Sequence, residues 1–456
     1  MHIDELHIQN FRCFQEINLK FSPENIAVIV GINGAGKSSL LDGIATLLMK
    51  LVNHLTEIQL DEWIERGSKI SRIDDDDDLF IKIDDILYGQ KQAILDIKIS
   101  DINYGAISWN AIKKQKKGIE LKADQIMDYM DYLEEQLQLN PEFNLPVLVY
   151  YRTHNMMLHS ASIYPEDDDN QYEMKQRKYE INQLNAYRGY FNPQIDNFQD
   201  FFIWFRVEED YENEIRLRQD NNYRNPNLEV IRKAIEKFLE GFPNTHFSNL
   251  RVVRTQSQRN IDFTSNRNPL SLTITKNDLD FKLEQLSDGE KTLLMLVTDL
   301  ARRLAIANPG LGVDALQGEG IVLIDEIDLH LHPQWQRIVI PSFTSTFPNC
   351  HFIVTTHSPQ VLSNVKRENV FILEDYQLVE VTPHTYGQDS NSILYELMNV
   401  NERPQEVQEK INACFNLIDE EELEAAKVKL QELADLLGEQ DSEIIRAKTL
   451  INFLTE

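Results

Sequence analysis

The segment Gly31-Ile32-Asn33-Gly34-Ala35-Gly36-Lys37-Ser38 constrains this chain more than any other feature. It follows the continuous apolar run Ile26–Val30, as a buried strand would. It precedes Ser38–Leu51, where Leu41, Ile44, Leu47, Leu48 and Leu51 recur at helical spacing. Strand, glycine loop and helix in direct succession point to an α/β fold. The segment fulfils the pattern GxxxxGK[ST] in full. The glycines let the backbone curl so that its N–H groups face phosphates, and the helix N-terminus adds positive potential. Lys37 supplies a point charge for β- and γ-phosphates, and Ser38 a hydroxyl for Mg²⁺.

Three distant segments carry compatible chemistry. Ile321-Val322-Leu323-Ile324-Asp325-Glu326 puts two carboxylates at the end of an apolar strand, where open α/β sheets place ligand groups. Asp325 suits a metal, directly or through water, and Glu326 suits an attacking water. Val354-Thr355-Thr356-His357-Ser358 ends the next apolar strand on a histidine suited to the γ-phosphate and that water. Leu286-Ser287-Asp288-Gly289-Glu290-Lys291 opens a helix expected to run to Ala307. Ser287 alone would serve as its cap, but a hydroxyl, a glycine and a helix N-terminus also make an anion site. His330 and His332 lack a third ligand, so a turn facing an opposite subunit suits them better than a metal.

The 456 residues suit two or three domains, and the net charge of −29 excludes a whole-surface basic coat for nucleic acid. A local patch, such as the lysines of 113–117 or Arg251 and Arg254, remains compatible with the 8–10 Å reach of screening, about one Debye length. The aspartates at 74–78 read as a solvated loop, since calcium loops need spaced ligands and a glycine. Strands are expected at Leu79–Ile83, Ala93–Ile99, Leu145–Tyr151, around Leu250 and Leu270–Ile274, and at Val370–Leu373 paired with Leu378–Val381. Helices are expected at 121–138, around Leu228–Leu239, at Pro333–Phe347 and through the acidic stretch 391–456. Cys13, Cys350 and Cys414 form no metal or disulfide pattern. With no signal-like start and no long apolar run, a cytoplasmic location without membrane contact is expected.

The four segments, in this order, resemble the ABC-type ATPases, and within them the RecF/SMC/OLD branch. Asn10-Phe11-Arg12-Cys13-Phe14 is similar to that branch's "NFRxF" opening, and Asp325–Pro333 to its "DEIexhLHP" segment. The resemblance covers residues 1–50 and about 270–382. It implies an α/β ABC-ATPase head, with a P-loop mixed sheet and an antiparallel β lobe, a helical insertion and a helical C-terminal tail. The corresponding boundaries are 1–151 and 246–385 for the head, 152–245 for the insertion and 386–456 for the tail. It implies ATP and Mg²⁺ as cofactors, with Arg12 near the nucleotide and Asn33, Gly34, Ala35, Gly36, Lys37, Ser38 and Ser39 around it. Ser38 and Asp325 would hold the metal; Lys37, Glu326 and His357 would serve hydrolysis. Ser287, Gly289 and Glu290 would reach the γ-phosphate of a second copy, giving a homodimer or higher even oligomer. The branch's pattern is not matched everywhere. Asp288 stands where many relatives carry glycine, and Glu290 where transporters carry glutamine. Tyr150-Tyr151-Arg152-Thr153 stands where a Q-loop glutamine would be sought, leaving Thr153 or His154 as candidates for metal sensing. The transporter D-loop aspartate is replaced near His332.

The insertion is too short for long coiled-coil arms, and the tail shows no DxD and no strand–helix alternation for an intrinsic nuclease. Asn391–Met398 and the stretch from Arg403-Pro404 resemble the tail of Septu-type anti-phage ATPases, PtuA-like proteins also found with some retrons. That resemblance implies a regulatory ATPase in an anti-phage complex, controlling a separate HNH-type nuclease subunit through ATP-dependent pairing of heads. Two other expectations stand beside it: a RecF-like DNA-repair clamp binding DNA across the dimer, and a scaffold in which ATP only joins subunits.

Overall fold

Segments with no polar face become central strands, because only a strand covered on both sides can be apolar throughout. In the computed structural model, residues 1–65, 81–115, 119–153, 162–163, 183–189, 197–243, 245–254, 270–379, 383–398 and 403–455 are described. In chain order β1 (His2–Phe11), β2 (Phe14–Lys20) and β3 (Ile26–Gly31) lead into the glycine loop and α1 (Lys37–Glu65). β4 (Gln92–Asp101), β5 (Gly105–Lys114), β6 (Ile119–Lys122), α2 (Asp124–Leu139) and β7 (Val147–Tyr151) follow. After β8 (Ser162–Ile163) come α3 (Asn197–Arg218), α4 (Pro226–Leu239), β9 (Phe247–Arg254), β10 (Leu270–Lys276), β11 (Leu279–Lys282) and α5 (Asp288–Ala307). β12 (Gly320–Ile324), α6 (Pro333–Thr346), β13 (Cys350–Thr356), α7 (Pro359–Leu362), β14 (Val370–Glu374) and β15 (Gln377–Leu378) close the first of two compact units, Met1–Gln388.

A six-stranded sheet in the order β15-β14-β3-β13-β12-β7 holds the motifs. β14, β3, β13, β12 and β7 run parallel, and β15 is antiparallel. Every residue of β7, β12 and β13 is buried. Because these strands are parallel, their C-terminal ends share one edge, so segments far apart in sequence become neighbours there. Thr356 lies opposite Val30, and Ile324 lies between Val354 and Tyr151.

The antiparallel lobe is a five-stranded sheet, β2-β1-β4-β5-β6. Its register puts Ile17, Ile8 and Leu95 on one row and Leu19, Leu6, Ile97 and Trp109 on the next. The lobe packs on α1, where the Trp109 indole N–H donates to the Leu47 carbonyl at 3.1 Å. A third sheet pairs β10 with β8, β9 and β11. α4 packs on α6 through Phe238 and Phe343, whose rings meet edge to face at 4.7 Å. The architecture is the α/β head expected above: a mixed sheet around the P-loop helix, an antiparallel lobe, and helices between its halves.

The second unit, Asp389–Glu456, contains α8 (Ser390–Met398), α9 (Gln405–Asp419), α10 (Leu423–Leu437) and α11 (Ser442–Thr455). Ile411, Cys414 and Ile418 of α9, Ala426, Leu430 and Leu433 of α10, and Ile444, Ala447 and Ile451 of α11 form its core. The spacing 426, 430, 433 gives one helical stripe.

Two expectations need correction. Leu79–Ile83 is not a strand where it is described. Ile83–Asp85 is a 3-10 turn, because the Asp85 carboxylate accepts the Lys82 backbone N–H at 2.8 Å and curls the chain. Leu378–Val381 shrinks to the two residues of β15, with 380–382 outside the described residues. The P-loop helix runs on to Glu65. The aspartates 74–78, Lys116, Lys117 and His154 also lie outside the described residues. Among the described residues no helix is long and apolar enough to cross a membrane.

α5 carries the least expected feature of the core. Arg303 is 0% exposed and donates to the Asp299 carboxylate at 2.7 Å and to the carbonyls of Ala186 and Arg188. Asp299 also accepts from Arg302 and from the Tyr151 hydroxyl, at 2.6 and 2.9 Å. Burial alone would raise the Asp299 carboxyl, but Arg303 and Arg302 override it and bring it down to about 2. Its stabilising effect is therefore whole above the ordinary 3.8 and is lost as pH falls through about 2. Asp299→Asn leaves the buried guanidiniums uncompensated. Chemical denaturation should register a loss of about 3–5 kcal/mol at neutral pH, shrinking as pH approaches the acid range.

Candidate functional site

The loop takes its shape from glycines in the left-handed region, Gly34 at φ 83° and Gly36 at φ 101°. Ile32, Asn33 and Gly34 form an exposed rim, while Ala35 and Lys37 are buried beneath it. The Lys37 ammonium folds back and donates to the carbonyls of Gly31 and Ile32 at 2.9 and 3.1 Å. Burial lowers its pKa, opposed by the charges of Asp325, Glu326 and Asp328.

Asp325 is where the strand ends converge. It accepts from the Ser38 hydroxyl at 2.9 and 3.1 Å, from the Thr355 hydroxyl at 2.6 Å, and from the Thr153 hydroxyl at 3.5 Å. Its own N–H donates to the Tyr151 carbonyl across the β7–β12 pairing. Glu326, the next residue, sits at φ 54°, a left-handed conformation unusual for glutamate. Its N–H donates to the Thr355 hydroxyl at 2.7 Å, which holds that turn in place. Strain of this kind, stabilised by neighbours, clusters at working sites.

His357 follows β13. Its backbone N–H reaches Asp328, whose carboxylate also accepts from Thr356 at 2.6 Å. Burial and then the Lys37 charge push the imidazole below its ordinary value, against the opposing carboxylates of Asp328, Glu326 and Asp325. The ring is thus neutral around pH 7, able to donate at one nitrogen and accept at the other. Ser358 caps α7, accepting from the N–H groups of Gln360 and Val361.

The structure brings Lys37, Ser38, Asp325, Glu326 and His357 together at one sheet edge. Ser39 is at the first turn of α1, half-buried. Arg12 stands at the side of α1, tied to Asp42 and Asp85. Ser287, Gly289 and Glu290 occupy the start of α5; Ser287 and Glu290 bond mainly to each other, and Gly289 is buried between them. Ser287 accepts from the Glu290 N–H, and the Glu290 carboxylate accepts from the Ser287 N–H and hydroxyl and from Lys276. Burial is the largest influence on Glu290, yet these donors lower its carboxyl. A serine and a hard carboxylate beside a phosphate-shaped loop fit a magnesium–nucleotide pair, in which oxygen ligands and Lys37 would share the charge.

Thr355, Asp328, Tyr151 and Asp42 hold this geometry but were given no roles from sequence. Thr355 had one legible signal, a hydroxyl inside an otherwise buried strand. The others depend on which helix lies against which strand end.

Residues 26–363 match the family model described as "AAA domain, putative AbiEii toxin, Type IV TA system". The chain is 31% identical to "Retron Ec83 probable ATPase" of Escherichia coli over 446 residues, 89% of this chain and 78% of that protein. It is 29% identical to "Retron Vc95 probable ATPase" of Vibrio cholerae serotype O1 biovar El Tor over 448 residues, 91% and 82% of the two chains. A 92-residue stretch is 44% identical to "Septu protein PtuA" of Bacillus mycoides (strain KBAB4), covering 20% of this chain and 12% of that protein.

Gly289 gives a direct test of how α5 is seated. A Cβ there would meet the His330 carbonyl oxygen at 2.5 Å. Gly289→Ala should push α5 off the turn that follows Glu326. Thermal or urea unfolding should show a loss of about 1–3 kcal/mol, as for overpacking elsewhere; an unchanged midpoint would mean the turn yields freely.

Proposed function

The chain belongs to this AAA-domain ATPase family, and from that premise we propose that it is the ATP-binding and ATP-hydrolysing regulatory subunit of an anti-phage defence complex. The Ser38–Asp325–Thr355 hydrogen-bonded cluster, with Glu326 held in a left-handed turn beside it, is the observation that carries the ATPase reading. The loop N–H groups and Lys37 receive the β- and γ-phosphates. Ser38 and Asp325 would hold Mg²⁺, which would offset the negative charge of the phosphate oxygens. Glu326 accepts a hydrogen bond from the attacking water and orients it in line. His357, kept neutral by its surroundings, donates toward the γ-phosphate. Phosphoryl transfer asks a protein mainly for this kind of positioning and charge compensation.

Ser287, Gly289 and Glu290 complete the site of a second copy in this reading, so hydrolysis is coupled to head pairing. α5 starts with Ser287 and Asp288 exposed, while Gly289 is buried against the His330 carbonyl in the turn after Glu326; the exposed Ser287 supports a role at such a seam. The relatives named for retrons and for Septu support the defence setting. A separate HNH-type nuclease is the partner we propose, with the helical unit from Asp389 onward as one contact for it. Nucleic acid then meets the complex chiefly through that partner.

Glu326→Gln should keep ATP binding and lower turnover by two or more orders of magnitude, roughly the weight of a general base. In the presence of Mg²⁺ and ATP it should accumulate as a dimer on size-exclusion chromatography with light scattering. Normal turnover in that variant would refute the role given to Glu326; a monomer under those conditions would refute pairing. Lys37→Ala should abolish nucleotide binding in equilibrium dialysis.

A further inference from the structure

A second charged cluster flanks the loop. Asp42 lies one helical turn beyond Ser38 on α1, on the same stripe of that helix. One of its carboxylate oxygens accepts from Arg152 Nη2 at 2.7 Å, and the other accepts from Arg12 Nη1. The Tyr150 hydroxyl bonds to the same carboxylate. Asp85 holds the other side of Arg12 through Nε, at 2.8 Å. One aspartate thus gathers donors from the end of β1, the end of β7 and the residue that follows it.

The two arginines come from different elements, one after β1 and one after β7, and meet at Asp42. Next to Arg12, Cys13 and Phe14 press on the loop, since a Cβ on Gly36 would meet the Cys13 sulfur at 2.9 Å and the Phe14 ring at 2.6 Å. Next to Arg152, Thr153 touches Asp325. Arg12 itself is at φ 51°, a strained backbone for arginine that is fastened by its N–H to the Asp85 carbonyl at 2.6 Å. Each guanidinium has an aromatic ring beneath it, Phe11 at 5.2 Å and Tyr150 at 4.9 Å. Their side chains keep 34% and 33% exposure while Asp42 keeps 15%, so the carboxylate is more covered than the two cations it joins.

Charge at the site gives this pairing a purpose. Lys37 is surrounded by Asp325, Glu326 and Asp328. A triphosphate entering there meets three carboxylates and one ammonium before its metal is counted. We infer that Arg152 is a second arginine of the nucleotide site, and that Asp42 is the positioning residue that holds Arg12 and Arg152 as a pair facing the phosphate groups of a nucleoside triphosphate. The inference rests on the reading of the loop as an ATP site. Arginine suits the role because its planar fork bonds phosphate oxygens in pairs and cannot be deprotonated.

The test uses the full chain, with ATP and ADP binding in Mg²⁺ by equilibrium dialysis, steady-state ATPase kinetics and thermal melting. Arg152→Ala should weaken ATP binding by about tenfold, the weight of one charge-assisted contact, and ADP binding by less. Arg152→Lys should recover little of it. Asp42→Asn should raise KM for ATP by a similar factor while kcat changes less, and Asp42→Glu should restore KM toward wild type. A merely structural latch would instead lower the melting temperature and leave affinity alone. ATP affinity within about twofold of wild type in both Arg152→Ala and Asp42→Asn overturns the inference. Should Asp42→Asn fail to fold, Arg152→Ala and Asp42→Glu decide it. Failure of the underlying reading shows differently, as wild type that binds no ATP or Lys37→Ala that binds it normally.

Discussion

The carboxylate of Asp325 is the interaction on which the rest of the site depends. It draws hydroxyls from α1, β13 and the end of β7 onto one point, and its backbone N–H is part of the sheet itself. A buried carboxylate is costly to desolvate unless it is surrounded by donors. Three hydroxyls and the nearby Lys37 supply that surrounding. The same donors leave a compact oxygen-rich patch at the mouth of the glycine loop, which is the chemistry a magnesium–phosphate ligand requires.

The remainder of the head can be understood as support for that point. Parallel strands bring the ends of β3, β13, β12 and β7 to one edge. α5 is then anchored twice relative to them: Tyr151 reaches Asp299 near its middle, and Gly289 abuts the His330 carbonyl near its start. The buried Asp299–Arg303 pair is not an economical way to stabilise a helix, since apolar packing of equal volume would do as well. What it adds is geometric definition, because the guanidinium tolerates only a narrow set of positions for its oxygen partners, Asp299 and the carbonyls of Ala186 and Arg188. That definition fixes where the start of α5, with Ser287 exposed and Gly289 against the His330 carbonyl, lies relative to the strand ends.

Asp42 extends the same logic to the flank of the loop. Two arginines with their own aromatic supports are held by one aspartate on the P-loop helix, beside a site rich in carboxylates. Cations fixed in advance lose less freedom when an anion arrives than flexible ones would. The segment Tyr150–Thr153 is central to this arrangement, with Tyr150 and Arg152 turned to α1, Tyr151 to α5 and Thr153 to Asp325. It occupies the place where a glutamine was sought, and it makes four contacts where a glutamine side chain would make one or two.

The elements that depend on local patterning were legible in the amino-acid order. The apolar runs at 26–30, 145–151, 320–325 and 352–356 read as covered strands, and the glycine–lysine–serine loop between strand and helix read as a phosphate-binding curl. Sequence favoured an anion site over a plain cap for Ser287; the structure shows Ser287 as the cap, and Glu290 three residues on completes the capping box at the start of α5. Lys37, Ser38, Asp325, Glu326 and His357 were chosen because each ends or follows such a run. The described part of Leu79–Ile83, Ile81–Ile83, is not a strand, because a short apolar run says nothing of the aspartate that curls it. Asp42, Tyr151, Asp299 and Arg303 carried no signal of their own, since a single charged or aromatic residue on a helix or strand is ordinary. Their roles arise only when α1 and α5 pack on particular strand ends. Periodicity along a chain reports which face is covered; it does not report which distant carboxylate a buried guanidinium will meet, because that is settled by sheet order and helix placement in three dimensions.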